Sequence, residues 1–387
     1  MLTLGGTSLA DGTRPRVILF FVSGMGYAEL TATSPLAELS RLAKAGSIAF
    51  LDTAVTGEPT EAAVYLTIGA GEKMTVPDKT SPKLMEGGID RTVADVATDI
   101  FRCDTREGLV VAQTYRRRFD AYPPLRAHLV QIGVPTLRRY QVDTAHAARI
   151  GELGEALHRA GKRVTVLGDW QSALVAIDKR AALYNGAMRP LLSSEFERVI
   201  ANCDVLIYNE EHPGRAPGFA PMLANLAAKG KANILLVCLP HPFSDTTTRP
   251  FLFALGPAFP AGSLLTSATI GKAGFVSSRD IAPTVALLAG APFSGGSGHP
   301  LKSIRVTGKS WDVLAAVLRR EAFLRQWGVY FGIGILLVIA LIIALLFHIR
   351  ARKRGAAGRL FGDRVVRWLG WAIGQFSDRV VRWLGRK

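Results

Sequence analysis

The sequence predicts an α/β fold: a doubly wound, mostly parallel sheet with helices on both faces, followed by one transmembrane helix and an amphipathic tail helix. Three observations predict it. Short apolar, β-branched runs alternate with Ala-rich helical stretches as far as about residue 305, as in a buried parallel sheet. Residues 328–347 carry no charge over twenty positions, and a helix of that length spans roughly 30 Å, the thickness of a bilayer's hydrocarbon core. Beyond that run the chain is basic and repeats itself.

The elements follow in order. An apolar strand at 16–22 ends in Ser23-Gly24-Met25-Gly26. A helix at 35–45 starts behind Thr33 or Ser34 with Glu38 in its first turns. A strand at 47–53 precedes a short helix at 61–68, entered from a Gly-Glu-Pro-Thr turn. The Lys-, Pro- and Gly-rich stretch 67–95 reads as a loop or small insertion over one sheet edge. Further strands are expected at 108–114, from about 163, and at 173–178, 204–209, 233–240 and 251–256. Helices are expected at 151–160, 217–229 and 280–288.

This α/β domain occupies 15–305. A juxtamembrane helix at 311–327 leads into the apolar run 328–347, where Gly328-x-x-x-Gly332 hints at helix pairing and a homo-oligomer. The tail, 350–387, contains FGDRVVRWLG at 361–370 and FSDRVVRWLG at 376–385. On a helix, Trp368 and Trp383 share a face with Phe361 and Phe376, and arginines flank them. That arrangement suits a helix lying in the membrane interface. Arg350, Arg352, Lys353, Arg354, Arg364, Trp368, Arg379 and Trp383 are its candidate lipid contacts.

Charge sharpens this. The net charge is +16, yet residues 350–387 hold eleven Lys or Arg against two Asp. The basic excess therefore belongs mainly to the tail and points to anionic headgroups. It argues against nucleic acid, since a duplex-binding domain would carry its own basic stripe. The cysteines, Cys103, Cys203 and Cys238, match no zinc or disulfide spacing; Cys203 and Cys238 lie in or beside apolar runs and read as buried free thiols. The charges after His348 predict a cytoplasmic C-terminus and an extracytoplasmic domain. The first sixteen residues lack the apolar region of a signal peptide, which conflicts with that orientation.

Ligands of doubly wound sheets bind at the carboxyl ends of strands. There the sequence VILFFVSGMGYAEL (17–30) resembles the first strand of the alkaline-phosphatase superfamily. LLTSATIGKAGFVSSRDIAPTVALLAGAPF (264–293) resembles its closing element, and PTEAAVYLTIGAG (59–71) stands in the place of its nucleophile segment. The resemblance covers about residues 15–305. It implies two metals, usually zinc, held by Asp and His around a Ser or Thr nucleophile.

Carried over by position, the nucleophile slot falls at Thr60, whose plainer reading is a helix N-cap. The first ligand position holds Ser23 instead of Asp, and a neutral hydroxyl supplies no charge for a divalent cation. Glu210, His212, His241 and Asp245 are the remaining candidate ligands, at spacings unlike the family's. The expected final His is missing, and Asp280 matches an Asp that caps the closing helix without binding metal. Gly24, Gly26, Gly69 and Gly71 fit neither a Walker A loop nor a Rossmann fingerprint.

Three functions are open at this point. The favoured one is a membrane-anchored, catalytically degenerate member with a binding or envelope-associated role and no cofactor. The second is an active phosphatase, phosphodiesterase or phosphotransferase on envelope substrates, using zinc or manganese. The third is a structural membrane protein that acts through its tail.

Overall fold

The computed structural model describes residues 15–31, 36–53, 55, 60–74, 84–86, 89–91, 100–102, 108–142, 149–187, 189–240 and 249–352. The chain divides into two compact units, Met1–Asp312 and Val313–Lys387.

The first unit is built on a ten-stranded sheet. Its order is Lys302–Arg305, Ser263–Thr266, Ser47–Asp52, Phe251–Leu255, Ala232–Leu239, Arg16–Ser23, Val205–Glu210, Val164–Leu167 and Gly186–Ala187, with Phe275–Ser277 pairing Ser47–Asp52 beside this path. The strand Arg16–Ser23 lies between two parallel neighbours, Ala232–Leu239 and Val205–Glu210. Phe251–Leu255 runs antiparallel to both of its neighbours. The sheet is thus mostly parallel, as the sequence predicts. Every residue of Arg16–Ser23 after Arg16 is buried, so both faces are covered and the strand is continuously apolar rather than alternating.

The two faces carry different helices. Val17, Leu19 and Phe21 point into a core shared with the helices Glu61–Ala70, Glu152–Arg159, Trp170–Ala176 and Ile281–Ala289. On the other face Phe20 packs edge-on against Tyr208 and Phe219, with ring centroids 5.1 and 5.4 Å away. Tyr27, Phe251 and Trp311 extend that aromatic layer.

Two expected strands are helices. Residues 108–114 begin the helix Gly108–Phe119. Val111 and Tyr115, four apart, are buried with Val130, Ile132 and Ala182 in a small second core, and Phe119 packs against it. Helical spacing overrides the β-branched composition there. Its floor is a three-stranded sheet of Ile100–Arg102, Leu129–Gln131 and Ala182–Leu183. The second case is 173–178, which falls on the helix Trp170–Ala176 and the turn after it. Residues 173–177 are all buried, so they show no period to separate strand from helix. The Asp169 carboxylate accepts from Ser172 N at 3.1 Å and starts that helix.

Within 67–95, the helix Glu61–Ala70 extends two residues past its expected end, and Leu84–Glu86 pairs with Ile89–Arg91. The stretch expected as one helix at 217–229 is a 3₁₀ segment, Pro213–Phe219, followed by the α-helix Ala220–Ala228. Cys203 and Cys238 are free and buried; Cys103 lies outside the described residues.

The helix Ser310–Arg352 contains the uncharged run. Side-chain placement within that run is described for 334–336 and 338–346, where Ile335, Leu336, Val338, Ile339, Leu341, Ile342, Ile343, Leu345 and Leu346 are exposed. Among the described residues, no helix is long and apolar enough to cross a membrane. The tail repeat, with Lys353, Arg354, Arg364, Trp368, Arg379 and Trp383, lies outside the described residues.

Candidate functional site

The carboxyl ends of three adjacent parallel strands bring together Ser23, Asn209 and Asp169. Ser23 closes the strand Arg16–Ser23, and Phe21 is in register with Asn209 of the neighbouring strand. Side chains two apart share a face, so Ser23, Phe21 and Asn209 all face the helix Glu61–Ala70. Ser23 Oγ donates to Asn209 Oδ1 at 3.2 Å, and both residues are buried.

Asp169 arrives one strand further out, after Val164–Leu167 and Gly168. At Gly168 φ is +113°, and a Cβ would lie 2.6 Å from the Asn209 carbonyl oxygen. A glycine is needed for this close crossing, which sets Asp169 beside Asn209.

Tyr65 closes the site from above. Its ring lies 4.7 Å from Phe21 between centroids, and its side chain is fully buried. Two buried polar atoms here lack a hydrogen-bond partner, Tyr65 Oη and Asn209 Nδ2. Tyr65 faces Ser23, and Asn209 Nδ2 faces Asp169 closely enough to favour its carboxylate form. Neither approach completes a hydrogen bond of good geometry.

The field of the site is acidic. Burial, the larger effect, pushes the Asp169 carboxyl up to about 6, and the nearby charges of Glu211 and Glu61 add to this. Burial likewise raises the Tyr65 phenol well above its ordinary value, with Asp169 as the next cause.

The sequence-predicted site residues meet different fates. Thr60 sits at the start of the helix Glu61–Ala70, where Oγ1 accepts from Ala63 N at 3.2 Å. Its hydroxyl is engaged as the helix cap. Glu210 is one residue past Asn209 and so faces the opposite side of the sheet. It accepts from Tyr208 Oη at 2.7 Å and from His212 N at 3.1 Å, and Arg215 Nε approaches to 3.8 Å. His212 is exposed. His241 and Asp245 lie outside the described residues. Asp280 is fully buried and stands at the N-terminus of the closing helix, but its carboxylate makes no cap hydrogen bond to that helix; it accepts from Ser277 N in the capping box of the 3₁₀ turn Ser278–Asp280, and from Ser267 Oγ, His299 N and Thr269 Oγ1.

Sequence reading missed Asp169, Tyr65 and Glu61. A signal for Asp169 exists: an apolar strand followed by Gly-Asp repeats the strand-end pattern that drew attention to Ser23.

The described strand-end donors fall short of the two-metal set that the resemblance implies. Ser23 and Asn209 are neutral, Asp169 supplies one carboxylate, and the Glu210 carboxylate is held on the other face; His241 and Asp245 lie outside the described residues. Among the described residues no three His, Cys, Asp or Glu side chains gather as a metal cluster.

No protein-family model matches the chain. No curated protein matches it. Among solved structures, murine ectonucleotide pyrophosphatase/phosphodiesterase 5 aligns at 8% identity with a TM-score of 0.41, covering 73% of this chain and 97% of that one. The human protein of the same name aligns at 10% identity, with the same TM-score and coverage. The cofactor-independent phosphoglycerate mutase of Thermoplasma acidophilum aligns at 9% identity and a TM-score of 0.31, over 71% of this chain and 99% of that one. Likenesses this loose assign neither a family nor an activity.

Proposed function

We propose that this chain is a membrane-anchored, alkaline-phosphatase-like protein whose strand-end site serves binding in place of metal-dependent phosphoester chemistry. One observation carries the reading. Where the resemblance places a metal-binding Asp, the chain has Ser23, whose hydroxyl is spent on Asn209. A divalent cation needs anionic or imidazole donors turned toward it, and the adjacent Glu210 is turned away. The sheet order, with Arg16–Ser23 between parallel neighbours and the site at their carboxyl ends, suits this reading.

The anchor is residues 328–347, within the helix Ser310–Arg352. The exposed Ile, Leu and Val side chains along it support an apolar environment. The basic tail rests on anionic headgroups, the C-terminus is cytoplasmic, and the domain is extracytoplasmic.

The test is metal content and turnover on the purified full chain. Zinc and manganese below 0.1 equivalent, roughly, with no hydrolysis of 4-nitrophenyl phosphate or its bis-ester after metal loading, are expected. Stoichiometric metal together with hydrolysis abolished by Thr60→Ala would replace the binding reading with an active phosphoesterase.

A further inference from the structure

A cleft of about 860 Å³ lies between the loop Tyr122–His128, Ala112 of the helix Gly108–Phe119, and His158 and Tyr184. None of its lining residues belongs to the site described above. One wall is Tyr122, Pro123, Pro124 and Leu125; the other is His158 and Tyr184.

Both walls are rings held in place before any ligand arrives. The Arg116 guanidinium lies over the Tyr122 ring at 5.0 Å, and its Nη1 donates to the Tyr122 hydroxyl at 2.7 Å. Opposite, the His158 ring stacks on Tyr184 with centroids 4.3 Å apart and planes 10° from parallel. Tyr184 Oη donates to Asp178 Oδ2 at 2.7 Å, which fixes that ring from behind. Asp178 also accepts from Arg180 N and Ala182 N, so its carboxylate is occupied.

The charge in the cleft has one sign. Arg126 lines it and no carboxylate does. Arg126 is exposed and has no hydrogen-bond or ion-pair partner among the described residues. A smaller cavity of about 270 Å³ shares His158 and Tyr184 and adds Lys162, Arg163 and Asp178; Arg163 pairs with Asp204. Flat apolar walls with an unpaired guanidinium call for a ligand that is flat, apolar and anionic at one end.

We propose that this cleft binds a small ring-bearing anion, its ring between Tyr122 and the His158–Tyr184 stack and its phosphate or carboxylate on Arg126. This inference does not depend on the strand-end reading. Calorimetry on the purified full chain in dodecyl maltoside, with phenylphosphonate as a probe that cannot be hydrolysed at a phosphoester, tests it. Phenylphosphonate should bind, with methylphosphonate and phenol each at least about tenfold weaker. Arg126→Gln should weaken phenylphosphonate at least about tenfold, and Arg126→Lys less. Arg41→Gln, at an exposed arginine paired with Glu38 and outside both sites, should leave binding unchanged. No binding at millimolar probe, equal binding of methylphosphonate, equal binding by Arg126→Gln, or equal loss in Arg41→Gln would each overturn the assignment.

Discussion

At Asp169, burial and the nearby charges of Glu211 and Glu61 both work against ionisation, and the hydrogen bond from Ser172 N favours it. Its carboxyl is raised to about 6 from an ordinary value near 3.8, chiefly by burial. A raised carboxyl means that the folded chain binds the proton more tightly than the unfolded chain does. This contribution to stability is full below pH 3.8 and is lost as pH rises through 6. The shift corresponds to at most about 3 kcal/mol of unfavourable ionisation above pH 6. Asp169→Asn keeps an oxygen for Ser172 N and removes the ionisation. The substituted chain should be more stable than the parent at pH 8, by about 1–3 kcal/mol, with the difference shrinking to zero near pH 4. Urea melts at both pH values check this; an equal effect at both would disprove the linkage. Ser23 was legible in the sequence because it interrupts a family-like strand end. Asp169 was not, because the apolar run after it reads as a strand and left the carboxylate in an unremarked turn.

At the scale of elements, the site exists because two helices approach closely. Glu61–Ala70 carries Tyr65, and Trp170–Ala176 starts at Asp169. Gly69 lies at their crossing, where a Cβ would stand 2.7 Å from the Val175 carbonyl oxygen and 2.9 Å from that of Leu174. These are backbone atoms and cannot rotate aside. Gly69→Ala should therefore push the helices apart and cost about 1–3 kcal/mol. Separated helices admit water to Asp169, so its carboxyl should titrate closer to 4 in this variant. Carboxyl carbon NMR reads that value; a titration still near 6 would show that the crossing does not set the site. The inner strands were legible from composition because burial on both faces makes them continuous apolar runs. The helices Gly108–Phe119 and Trp170–Ala176 were not. The first hides a four-residue spacing, Val111 to Tyr115, within a β-branched run, and the second has no polar face to give it a period.

At the scale of the whole molecule, the proposed anchor and the proposed tail contact would draw the chain to a membrane by separate forces, and salt distinguishes them. Residues 328–347 hold fourteen Leu, Ile, Val or Phe side chains. At about 0.3–0.6 kcal/mol each near a helix centre, they favour insertion by roughly 4–8 kcal/mol. Salt does not weaken that term. The tail's Lys and Arg contribute up to about 1 kcal/mol each near an anionic leaflet, and this falls away as the Debye length shrinks to about 3 Å at 1 M salt. The full chain reconstituted into phosphatidylserine-containing vesicles should therefore float with them in both 0.1 and 1 M NaCl. A peptide of residues 350–387 should float at the lower salt and not at the higher. Placing charges in the run, Ile339→Asp with Ile342→Asp, should convert the full chain to the salt sensitivity of the peptide. At the helix centre each Asp costs about 2.5–3.5 kcal/mol, enough with the lost Ile pair to cancel most of the apolar gain. Release of the unmodified chain by 1 M NaCl would show that it is held at the surface by charge alone and that 328–347 covers some other apolar partner.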